Sequence, residues 1–88
     1  MSSPTVTSPE SAVLGEMPGA EQLFQLGMLY STGRSTPTDM VSAHKWFNIA
    51  AMRGYKDAAR LRHEIAAEMS ANEIAAAQRA ARAWLTRH

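Results

Sequence analysis

The chain has 88 residues, a net charge of +1 and no cysteine, with 45% hydrophobic and 7% aromatic side chains. That is enough for one small domain and too apolar for a chain that stays wholly unfolded. Disulfides and zinc–thiolate sites are excluded. Much of the apolar content is alanine, which buries little area, so six methionines and six aromatics must supply most of the bulk. No run reaches the roughly 18 to 20 apolar residues of a membrane span. The first residues lack both the basic and the apolar regions of a secretory signal.

Residues 1–18 are rich in Ser, Thr and Pro, from Ser2-Ser3-Pro4 to Pro18. Such a segment cannot bury enough apolar area to offset its chain entropy, and it reads as a disordered tail ahead of a helical domain at 19–88. The first helix is predicted over about 20–32. Leu23, Leu26, Gly27 and Tyr30 recur at three- and four-residue steps on its inner face. Gln22, Gln25 and Met28 fall on the other side. Gly27 costs about 1 kcal/mol of helix propensity relative to alanine, which points to close approach of another helix, with the Trp46 ring as the expected neighbour. Gly33 should end the helix in a left-handed conformation.

The second helix is predicted over about 37–53, with Thr36 as cap, Pro37 at the first helical position and Asp39 in the first turn. Ala43, Trp46, Phe47, Ala50 and Ala51 form its apolar face, and Gly54 stops it. The third is predicted over about 56–69, on a stripe of Ala58, Leu61, Ile65 and Ala66 or Met69. The fourth is predicted over about 71–86. Ser70-Ala71-Asn72-Glu73 is a capping box at its start. Ile74, Ala77, Ala81, Trp84 and Leu85 share a face.

Leu26-Gly27, Tyr30, Gly33, Ala43, Trp46-Phe47, Ala50-Ala51, Gly54 and Ala58 together resemble one Sel1-like repeat, a relative of the tetratricopeptide repeat. The resemblance covers residues 20–58. Ser35 and Thr36 depart from the family pattern, and a second copy fails at Arg62 and His63. It implies an all-α, antiparallel array of about four helices. It also implies a bacterial protein that serves as an adaptor, and the lack of an apolar span and of a signal-like start reads as cytoplasmic. In that family Ile49 stands where a polar residue is usual, so it should be covered by something beyond the repeat. Helices three and four should supply the cap that a lone repeat requires, helix four packing on helix three. Otherwise the chain would dimerise or stack on a partner.

Chemistry is sparsely signalled. His44, His63 and His88 have no metal-site spacing and read as surface residues. No nucleophile elbow or phosphate loop occurs, and the carboxylates fall at helix starts or on exposed faces. No catalytic residue, cofactor or metal is implied. Trp46 and Phe47 read as core, and Trp84 as core or a partner anchor. Arg60, Arg62, Arg79, Arg82 and Arg87 read as a solvated face paired with Glu64, Glu68 and Glu73. Charge is −2 over residues 1–50 and +3 over residues 51–88, too weak an asymmetry to favour a nucleic-acid domain.

The implied function is protein–protein interaction, with a peptide or partner helix touching Gln22, Gln25, Met28 and Trp84. The alternative is an anionic or nucleic-acid partner held by the arginines of helices three and four. Steep weakening with salt would distinguish it.

Overall fold

The computed structural model describes residues 19–34 and 36–87. The expectation of a disordered tail at 1–18 falls outside them. The described residues form four helices and no strand: α1 (Ala20–Thr32), α2 (Met40–Met52), α3 (Ala58–Ala66) and α4 (Ala71–Arg87). None is long and apolar enough to cross a membrane.

The start of α1 is held by Gln22, whose Oε1 accepts the Gly19 N–H at 2.8 Å. Leu23, Leu26, Gly27 and Tyr30 are its buried residues. The helix ends at Gly33, which takes φ 71° and donates its N–H to the Leu29 carbonyl. The hydroxyl of Thr32 donates to the Met28 carbonyl at 2.8 Å. The Tyr30 carbonyl accepts the N–H of Asp39 at 2.9 Å, across the connection to α2. Two of the carbonyls left open where the helix stops, those of Leu29 and Tyr30, are thus satisfied by Gly33 and by the returning chain.

That last bond explains where α2 begins. Thr36 and Pro37 do not cap and open the helix; residues 37–39 carry the chain back, and Asp39 is the cap. Its carboxylate accepts the Ser42 N–H at 3.1 Å and the Ser42 hydroxyl at 2.8 Å. At the other end the Gly54 N–H donates to the Ala51 carbonyl, and the Tyr55 N–H to Ala50. This double closure needs a left-handed residue, and Gly54 supplies it at φ 95°.

α1 and α2 form an antiparallel hairpin. A β-carbon on Gly27 would overlap the Phe47 ring, so the close neighbour is Phe47 and not Trp46. Phe24 tilts against Phe47 with centroids 5.5 Å apart and stacks on Tyr55 at 4.2 Å. Trp46 is fully buried and faces elsewhere. Its ring meets the edge of Trp84 at 5.5 Å and 80°.

α3 is shorter than its apolar stripe suggests. Beyond Ala66 the bonds tighten to three-residue steps, Ala67 to Glu64, Glu68 to Ile65 and Met69 to Ala66, and the chain turns into Ser70. The capping box then forms as the spacing predicts, with Ser70 N–H to Glu73 at 2.8 Å and Glu73 N–H to Ser70 Oγ at 3.1 Å.

The order of packing differs from a simple succession. α1, α3 and α4 all pack on α2, whereas α4 does not lie along α3. Arg62, midway along α3, meets Asn48, so α3 runs against α2. Glu73 lines a cleft with Met40 and Val41, while Trp84 meets Trp46 and Arg53. α4 therefore runs with α2. Ile49, fully buried, lies one turn from both Trp46 and Arg53 and so on the side facing α4.

Trp46→Ala should remove about 3 to 5 kcal/mol, most of what a domain of this size has, and abolish the cooperative thermal transition seen by circular dichroism. A melting temperature within a few degrees of the wild type would show that Trp46 does not hold the core. The two cap positions separate in the same assay. Asp39→Ala should lower stability by about 0.5 to 2 kcal/mol, and Thr36→Ala by no more than a few tenths.

Candidate interaction surface

The side chains expected to touch a partner fall in different environments. Gln22 is exposed, but its amide oxygen is bound to the Gly19 N–H. Gln25 and Met28 are exposed, Met28 by 37%. Trp84 is 6% exposed, locked edge-on against Trp46 with the Arg53 guanidinium 5.3 Å from its ring. It belongs to the core, and α4 is bound to the domain by it. Gln25 and Met28 remain together on the side of α1 that α2 leaves uncovered.

An open cleft of about 460 Å³ separates the α1–α2 connection from the first turn of α4. Tyr30, Thr38, Asp39, Met40, Val41 and Glu73 line it. Its two carboxylates are already employed, Asp39 on Ser42 and Glu73 on Ser70. They bind backbone at helix starts and offer no acid–base pair. Among the described residues no cluster of His, Asp and Glu could hold a metal ion.

Sequence reasoning placed His44 on the surface, and the structure corrects this: His44 is 4% exposed, whereas His63 is exposed. His88 lies outside the described residues. His44 faces α3, beside Asn48 one turn on. The Arg62 Nη1 donates to Asn48 Oδ1 at 2.7 Å. Nδ1 of His44 is buried with no hydrogen-bond partner among the described residues. Burial, and then the Arg62 charge, lower the His44 pKa from its ordinary 6.5, while its own backbone pulls the other way. The imidazole is therefore neutral near pH 7, and its protonation would set two cations side by side in the α2–α3 contact. The signal available in sequence was spatial: a helix that three others must cover has little room for surface residues.

The arginines divide in two. Arg60 pairs with Glu64 at 3.1 Å and reaches Asp57 at 3.8 Å, and Arg62 is bound to Asn48. Arg79, Arg82 and Arg87 are exposed and pair with no described carboxylate, so the expected matching with Glu64, Glu68 and Glu73 is not formed there.

Comparison with protein-family models, with curated proteins and with solved structures finds no match.

A lowered His44 pKa means that the unfolded chain takes up the proton first as pH falls. Stability is then full above pH 6.5 and declines as pH drops through 6.5 towards the lower folded-state value. Denaturant titrations at pH 7 and pH 5 should show this loss in the wild type and a smaller one in His44→Leu. Equal losses would remove His44 as the cause.

Proposed function

We propose that the protein is a non-catalytic interaction module of the Sel1-like repeat type, binding a peptide or partner helix along the outer side of α1. The observation that carries this is the exposure of Gln25 and Met28 together on a helix that packs on one side only. Unbranched methionine adapts to varied partner surfaces, and paired helices offer a groove to an extended or helical ligand. The motif residues support the repeat reading by what they do in the fold. Leu26, Ala43, Trp46, Phe47, Ala50 and Ala58 are core, Tyr30 and Gly27 are buried, and Ala51 packs against the core. Gly33 and Gly54 end helices. The same resemblance carries the reading of a bacterial adaptor, which we place in the cytoplasm.

The test is affinity purification with the wild type and with a Gln25→Lys, Met28→Glu double variant in parallel. Both substitutions are on the surface and should change stability by no more than about 0.5 kcal/mol. A partner recovered by the wild type should bind the variant at least tenfold more weakly, about 1.4 kcal/mol. Undiminished binding would move the contact away from α1.

A further inference from the structure

We propose that the outward face of α4 is a docking surface for an acidic polypeptide segment of another protein, gripped by Arg79, Arg82 and Arg87. This surface is separate from the α1 face and stands or falls apart from it. Five arginines lie in α3 and α4, and the fold uses only the two in α3. Arg60 is held by Asp57 and Glu64, and Arg62 by Asn48. The three in α4 point to solvent with no described carboxylate within pairing distance. Nor is one close in sequence. Residues 74–88 hold no Asp or Glu, and the Glu73 carboxylate is turned back to the Ser70 N–H.

Helical geometry collects these cations. Arg82 follows Arg79 by three residues and Arg87 by eight, so the three span about 12 Å along the axis and about 140° around it, on either side of Arg79. Ala77, Ala81 and Trp84 occupy the opposite, buried side. Between the arginines the exposed residues include Ala83 and Thr86, whose hydroxyl is bound to the Arg82 carbonyl at 2.8 Å. Small side chains let a partner backbone come close, and each guanidinium fork can engage a carboxylate through two parallel hydrogen bonds.

The charge pattern favours an acidic peptide over a nucleic acid. Nucleic-acid binding that rests on phosphates typically draws on about six to ten contacts, and three arginines with a net charge of +1 cannot supply them. Binding of single strands uses aromatic platforms, and the one aromatic of α4, Trp84, is buried.

Fluorescence anisotropy on the full chain at about 50 mM salt tests this, with a labelled glutamate–alanine peptide of about twelve residues and an oligodeoxythymidine of matched charge. The peptide should bind. The Arg79→Gln, Arg82→Gln, Arg87→Gln triple variant should bind it at least tenfold more weakly, and Arg60→Gln within twofold of the wild type. The proposal is overturned by equal affinity in the triple variant, by tighter binding of the oligonucleotide, or by no binding of the peptide. Should the triple variant fail to fold, amide chemical-shift changes in the wild type decide. Changes along residues 79–87 support the surface, and changes confined elsewhere overturn it.

Discussion

The covering of α2 on three sides is the constraint on which the other helices depend. Ala43, Trp46, Phe47, Ile49 and Ala50 of this thirteen-residue helix are essentially without solvent contact, and His44 nearly so. One neighbour cannot produce that, because a helix touching a single partner buries only a stripe. α1 takes the Phe47 side through the bare backbone of Gly27, α3 the His44–Asn48 side, and α4 the Trp46–Ile49 side. A large indole at the centre lets alanine-rich neighbours form a core, since two tryptophan rings fill volume that alanines cannot.

Much of this was legible in the sequence, for identifiable reasons. The limits of α1 are set by local chemistry, a Gln22 brace and a Gly33 stop, and local chemistry is what a pattern records. The capping box at Ser70 is of the same kind. The start of α2 was misread because Thr36-Pro37 and Asp39 are both sound helix openings. The choice between them was made by a bond to the Tyr30 carbonyl in another helix. Gly27 announced a close contact but not its partner, since Trp46 and Phe47 are adjacent and only the rotation of α2 decides which ring arrives. Ile49 signalled a covering element, and helix periodicity puts it on the side that α4 covers, although succession along the chain suggested that α4 would rest on α3. His44 was hidden by its type, because a polar residue in a helix is ordinarily read as solvent-facing.

The surface can be sorted by which polar groups the fold has already claimed. Asp39, Gln22 and Glu73 hold helix starts, Glu64 and Asp57 hold Arg60, and Asn48 holds Arg62. These are side chains that residue type alone would make candidates for binding or catalysis. Among what remains are Gln25 and Met28 on α1 and Arg79, Arg82 and Arg87 on α4, helices whose outer sides face away from α2. α1 offers a side with Gln25, Met28 and one acidic residue, Glu21, whereas beyond Glu73 the charges on the outer side of α4 are all cationic.

The pairing of Trp46 with Trp84 also has a consequence in time. The two rings are 38 residues apart, and a ribosome adds about 5 to 20 residues per second. From completion of α2 at Gly54 to Trp84 is 30 residues, so for roughly 1.5 to 6 s of synthesis an α1–α2 hairpin would have the indole side of α2 open, since α3 covers a different side. Through that interval the nascent chain displays a tryptophan and an isoleucine on one helix, the kind of surface that chaperones hold and that neighbouring chains can capture. The open indole side thus closes only when α4 emerges, and a slow stretch of translation between residues 54 and 84 would prolong that state.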